Sequence, residues 1–292
     1  MTMDPRPDIG LAPPGHRLPA ATRLGRVRLQ IADLDRSVAF YEDVLGLRVL
    51  DRTQSTALLG AGAPLVELVA KPGTRPVPRR GLLGLFHVAF LLPERGDLAR
   101  FVRHAADLGV PVGMSDHLVS EAVYLTDPDG LGIEVYADRP REAWRHDGRQ
   151  IAMATEPLDV RSLVETAGET SWTGAPDGTT VGHVHLHVGD LGRAAAFYHE
   201  ALGLDKVVWG YPGALFLSAG GYHHHLGLNT WAAGSPPAGE DDARLLEWTL
   251  VLPSPTDTAE AARSLEAAGH GVTSDGLVTD PWSITLRLAT TD

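Results

Sequence analysis

The sequence predicts an α+β protein made of four strand–helix–strands modules, paired two and two. Three observations carry this. The segment GRVRLQIADLDRSVAFYEDVLGL at 25–47 returns as GHVHLHVGDLGRAAAFYHEALGL at 182–204. A second pair of segments, GLFHVAFLLP at 84–93 and RLLEWTLVLP at 244–253, each precedes a helical stretch. Each half then closes on a strand after an Asp-Pro turn, TDPDGLGIEVYA at 126–137 and TDPWSITLRLA at 279–289. Self-similarity at a fixed interval marks a fold assembled from repeated supersecondary units.

The elements follow in chain order. Residues 1–22 are rich in proline and glycine and predict a flexible tail. The first module opens with alternating residues, then Asp33, then an amphipathic run closed by Gly46. That is a strand, a helix N-cap and a C-terminal glycine. Asp190 and Gly203 repeat the frame in the third module. Residues 23–138 form the expected N-terminal module pair and 181–292 the C-terminal pair. Between them, 139–180 is rich in charge, glycine and proline and reads as a surface linker, with enough apolar residues to pack.

Composition narrows the function. Net charge is −12 over 292 residues, which disfavours non-specific nucleic-acid binding because phosphates would be repelled. No apolar run reaches the roughly 20 residues of a membrane helix, and the N-terminus lacks an apolar core of signal-peptide length. A soluble cytoplasmic protein is the default expectation. Cysteine is absent, so any metal must be held by His, Asp or Glu.

Histidines are the chemically informative residues. In GHVHLHV, strand alternation puts His183, His185 and His187 on one face and Val184, Leu186 and Val188 on the other. The apolar set belongs under the helices, so the histidines line the concave side. A second run, GYHHHLGL, holds His223, His224 and His225. Treated as a regular strand, it turns His223 and His225 inward and His224 outward; a bulge near Gly220 and Gly221 would bring His224 in instead. A lone interior histidine is more often a hydrogen-bonded core residue than a ligand. Five converging on one cavity would be costly to bury without a polar purpose. His117 lies in a loop with no partner implied.

The frame DL…FY…LGL, with DP-G…E closing a module, resembles the vicinal oxygen chelate superfamily of glyoxalases, bleomycin-resistance proteins and extradiol dioxygenases. Four modules in one chain, with SDHLVSEAVYLTDPDGLGIEVYADRP and GGYHHHLGLNTW, resemble its catechol 2,3-dioxygenase branch. The resemblance covers nearly everything after the first twenty residues. It implies four βαβββ modules paired into two open barrels, with metal corners on the first and last strands of each module. In the C-terminal pair these corners are His183, His225, Glu247 and Arg287. In the N-terminal pair they are Arg26, Glu67, His87 and Glu134.

Two imidazoles and one carboxylate suit non-haem Fe(II), with Mn(II) or another divalent metal as alternatives. The expected metal ligands are therefore His183, His225 and Glu247. Glu67, His87 and Glu134 are the second choice, because Arg26 would form salt bridges to both of its carboxylates. The resemblance places an acid/base histidine at His223 or His224 and favours His224, whereas strand alternation favours His223, which is preferred. His185, His187, Arg287, Tyr222 and Trp248 are the expected substrate contacts.

The implied activity is Fe(II)-dependent ring cleavage of a catecholic or vicinal-oxygen small molecule by O2. The alternatives are a glyoxalase-type metal isomerase or lyase that needs no O2, and a non-catalytic small-molecule binder. Neither a membrane nor a nucleic-acid partner is expected, and homo-oligomerisation stays open.

Overall fold

The computed structural model describes residues 9–291; of the expected tail, residues 1–8 lie outside it. Module one comprises β1 (Arg23–Ile31), α1 (Leu34–Asp43), β2 (Arg48–Arg52), β3 (Thr56–Ala61) and β4 (Ala63–Ala70). Module two comprises β5 (Gly84–Leu91), α2 (Arg95–Asp107), β6 (Gly113–Asp116), β7 (Ser120–Thr126) and β8 (Gly132–Asp138). The connection carries β9 (His146–Asp147), β10 (Gln150–Ile151) and α3 (Val160–Glu165). Module three has β11 (Thr180–His187), α4 (Leu191–Ala195) running into a π-helical turn at Ala196–Ala201, β12 (Asp205–Val208), β13 (Ala214–Ser218) and β14 (Leu226–Asn229). Module four has β15 (Arg244–Leu252), α5 (Pro255–Ala267), β16 (Leu277–Thr279) and β17 (Thr285–Thr290).

The helices start where the sequence places them. The Asp33 and Asp190 side chains accept from the backbone N–H groups of Arg36 and Arg193, satisfying donors that the first turn leaves open. Gly46 and Gly203 have positive φ, the conformation that ends these helices. Val184, Leu186 and Val188 are fully buried beneath the helical layer, as the alternation requires.

The expected fold class of two curled sheets with few helices is what the chain forms, but the modules pair differently from the expectation. One sheet runs β12-β13-β14-β11-β5-β8-β7-β6 and joins modules two and three. The other runs β16-β17-β15-β1-β4-β3-β2 and joins modules one and four. The 23–138 and 181–292 pairs are therefore each split between the sheets. Neighbours in sequence usually neighbour in space, but here the seams join β1 to β15 and β11 to β5. At the antiparallel β1/β15 seam Arg28 stands opposite Glu247, and at the β11/β5 seam His185 stands opposite His87. The long 139–180 connection allows module three to return beside module two.

The described part of the tail, residues 9–22, is fastened to module three. Leu11 bridges to Lys206, Leu18 N–H donates to the Gly203 carbonyl, and the Arg17 guanidinium grips Asp205 at 2.8 Å through two nitrogens. The connection packs as expected: Leu163 of α3 is fully buried and Arg95 of α2 donates to the Ser162 carbonyl. Tyr198 on the module-three helix donates to Asp280 after β16, at 2.8 Å, which ties one sheet to the other.

Candidate metal centre

Three side chains meet on the concave face of the sheet formed by modules two and three. His87 comes from β5, Glu134 from β8 and His183 from β11. His87 Nε2 lies 3.0 Å from Glu134 Oε2, His183 Nε2 lies 3.1 Å from the same oxygen, and the two Nε2 atoms are 3.3 Å apart. Register explains the convergence. Ala89 is the cross-strand partner of both His183 and Glu134, so a methyl group is all that separates their two strands on this face. All three ligand atoms fall within 4.8 Å of one another, and all three residues are buried.

Burial alone would raise the Glu134 carboxyl, but the facing His183 and His87 imidazoles hold it well below the usual carboxylate range. Burial lowers His183 to about 4, against the pull of Glu134. The site thus holds an anionic carboxylate and a neutral imidazole at neutral pH, each with a lone pair to offer. A two-histidine, one-carboxylate donor set without thiolate fits a divalent metal such as Fe(II) or Mn(II). Nδ1 of both His87 and His183 is buried without a protein partner among the described residues.

The site opens on a cavity of about 240 Å³. Phe86, Tyr124, Phe216 and Trp231 supply aromatic walls, and among the described residues Glu134 is the only Asp, Glu, Lys or Arg in the lining. Tyr124 stands opposite Glu134 across the β7/β8 pair. His117 Nδ1 donates to the Ala154 carbonyl at 2.7 Å, so its Nε2 accepts from the Tyr124 hydroxyl at 2.5 Å. Burial, then the Glu134 charge, raises Tyr124 well above its ordinary value and keeps it protonated. His117 is thus a cavity residue, contrary to its reading as a loop residue without a partner. Met153, Ala154 and Thr155 of the connection also line the cavity. Tyr124 was legible in principle, because the TDPDG turn fixes which β7 residue faces Glu134. The contribution of the connection had no periodic signal.

The histidine run lies in the turn leading into β14, where Gly220 and Gly221 adopt positive φ, so strand alternation does not govern it. His224, expected to point outward in a regular strand, lines the cavity, its ring centred 4.0 Å from that of His183. His223 lies behind it, fully buried, with Nε2 at 2.8 Å from Asp138. His225, an expected ligand, is instead a turn anchor: its Nδ1 accepts from the Ala219 N–H at 3.2 Å. Burial pushes His225 down to about 3.

The remaining expected contacts divide by sheet. His185 lines the cavity, and Asn229 holds it by donating to its Nε2 at 3.0 Å while accepting from His187 Nδ1 at 2.7 Å. His187 itself faces an adjoining cavity of about 820 Å³ with Arg79 and Arg80. Tyr222 sits outside the cavity wall, its hydroxyl 2.7 Å from that of Tyr136. Trp248 is wholly buried in the core of the other sheet.

Glu247 and Arg287 are also in that other sheet, joined by two hydrogen bonds of 2.7 and 3.0 Å. Glu67 pairs there with Arg26 at 3.3 Å and Arg28 at 3.1 Å. The repeat aligns Arg26 with His183, Glu247 with His87 and Arg287 with Glu134, so guanidinium–carboxylate pairs occupy the corners that carry the triad in the first sheet. The set His183, His225, Glu247 is therefore not brought together, because Glu247 lies in the other sheet. Of the second set, His87 and Glu134 come together, with His183 in place of Glu67. Arg26 reaches only Glu67, because Glu134 belongs to the opposite sheet. Arg287→Ala leaves the buried Glu247 with only the more distant Arg28 at 3.9 Å. It is expected to cost roughly 1–3 kcal/mol in urea unfolding, partly recovered by adding Glu247→Gln.

Comparison with known proteins accords with this architecture. Residues 23–135 and 180–283 match the model of the Glyoxalase/Bleomycin resistance protein/Dioxygenase superfamily. A catechol-2,3-dioxygenase of Bacillus subtilis (strain 168) is 43% identical over 257 residues, covering 86% of this chain and 90% of the relative. Two solved structures share the fold. One is a Bacillus subtilis protein provisionally named a dioxygenase, with TM-score 0.64, 18% identity and coverage of 94% and 86% of the two chains. The other is glyoxalase I of Zea mays, with TM-score 0.54, 17% identity and 92% coverage of each. With the repeat, the curled sheets and a family match over most of its length, the chain belongs to the Glyoxalase/Bleomycin resistance protein/Dioxygenase superfamily.

Proposed function

We propose that the protein is an Fe(II)-dependent extradiol-type dioxygenase that cleaves a small, uncharged catecholic ring, with the metal held by His87, Glu134 and His183. Its standing as a dioxygenase-type oxidoreductase rests on the 43% identity over most of the chain. The single observation that carries the site assignment is the buried His87–Glu134–His183 triad opening on an aromatic cavity. A bound Fe(II) would supply a shared centre for the two substrate oxygens and O2 and the electrons that pass between them.

The chain's own residues do the rest. A cavity of about 150 Å³ accommodates benzene, so about 240 Å³ suits one ring with small substituents. Phe86, Phe216 and Trp231 give that ring apolar walls. The absence of Lys and Arg from the lining disfavours a charged substituent inside. Burial holds His224 well below its ordinary value, so it is neutral and able to take a proton from a substrate hydroxyl. Tyr124, kept protonated and donating to His117, offers its hydroxyl oxygen as an acceptor on the opposite wall.

The reading is tested by reconstituting the protein with Fe(II) without air, then adding catechol and O2. A yellow ring-fission product with stoichiometric oxygen uptake is expected. Turnover without oxygen uptake, or silence across several uncharged catechols, would refute it.

A further inference from the structure

The turn that carries the histidine run places a chain of three groups behind the cavity. Asp138, at the end of β8, lies with Oδ1 at 2.8 Å from His223 Nε2, and His223 Nδ1 lies 2.8 Å from His224 Nδ1. A carboxylate only accepts hydrogen bonds, so the His223 Nε2 must carry the proton. A His223 ring that carries one proton, on Nε2, has a bare Nδ1, and the facing His224 Nδ1 is then the donor. His224 is left with a bare Nε2 that has no hydrogen-bond partner among the described residues, on a ring that lines the cavity. We propose that Asp138 is a positioning residue acting through His223, which fixes His224 in the Nδ1–H tautomer and presents its Nε2 lone pair to a substrate hydroxyl.

The surroundings are built to hold this chain. His223 is fully buried between Tyr222, centred 4.1 Å away, and Trp144, centred 5.4 Å away. The Tyr222 hydroxyl also reaches Asp138 at 3.3 Å, and the Arg141 guanidinium covers both Trp144 and Tyr222. The Asp138 side chain is 27% exposed, while its partner His223 is dry. A proton taken from substrate at His224 Nε2 leaves an imidazolium whose Nδ1–H points along the chain toward the carboxylate, which offsets the charge. Positioning of this kind sets which nitrogen is free, a detail that decides whether the histidine accepts or donates.

The consequence for turnover rests on the catalytic reading given above; the tautomer does not. The experiment uses full-length protein labelled with 15N-histidine, as isolated and after Zn(II) loading, with His224 assigned through His224→Gln. Long-range 1H–15N spectra should show His224 protonated at Nδ1 and bare at Nε2, and His223 the reverse. Asp138→Asn, whose amide oxygen still accepts, should keep both tautomers. Asp138→Leu should mix them and, in the Fe(II) protein, lower kcat about tenfold or more with KM changed by less than roughly twofold. A His224 proton at Nε2 in the wild type overturns the proposal, and so does an Asp138→Leu protein with unchanged ring signals and kcat. The wild-type spectrum decides even if Asp138→Leu fails to fold. Expected tautomers in a wild type that cleaves no catechol would defeat the dioxygenase reading and leave the positioning chain standing.

Discussion

Glu134→Gln is expected to abolish stoichiometric divalent-metal binding, while Glu247→Gln and His225→Asn are expected to retain it. This is the largest effect expected of any single substitution here, because Glu134 is the one anion at the triad and both imidazoles lean on it. Altering a residue merely behind a metal ligand already costs about 10- to 100-fold in affinity, and removing a ligand costs more. His87→Ala and His183→Ala should behave like Glu134→Gln. Glu247 is held by Arg287 in the other sheet, and His225 is spent on the Ala219 backbone, so neither has a lone pair to lose at the centre. Metal analysis of purified variants after dialysis against Fe(II) or Mn(II) reads the result directly. Retention of metal by Glu134→Gln together with its loss in Glu247→Gln would move the centre to the other sheet.

The second large effect is on turnover. His224→Ala is expected to lower kcat for catechol cleavage by about 10²- to 10⁴-fold, the usual contribution of a positioned general acid or base, with metal content unchanged. His224 is the member of the histidine run that lines the cavity beside His183. Steady-state oxygen uptake with iron content measured in parallel separates this from metal loss. A His224→Ala protein that keeps its metal and turns over within a few-fold of wild type would remove His224 from the chemistry.

Much of this architecture is written locally. Asp33 and Asp190 with their trailing glycines mark two helices, and the alternation in GHVHLHV separates the buried valines from the cavity histidines. Those signals survive folding because capping and alternation depend only on residues within a few positions of each other. The candidate site was legible in part for the same reason. His183, His87 and Glu134 sit at repeated positions on strands, and each faces inward as its strand period requires.

What the sequence could not decide was which positions share a centre. Modules one and three share one frame and modules two and four another, so the repeat leaves open whether module two joins module one or module three. That choice shows only in the pairing of strands far apart in the chain, β1 with β15 in one sheet and β11 with β5 in the other. The run GYHHHLGL shows the same limit on a smaller scale. Two glycines at positive φ take it out of the strand period, and His224 rather than His223 or His225 reaches the cavity. The sequence by itself determined the modules, the inward-facing residues of the regular strands and the metal-compatible chemistry. Only the tertiary structure decided that His87, Glu134 and His183 meet while Glu247 and Arg287 neutralise each other, because long-range pairing is set by the fit of whole surfaces.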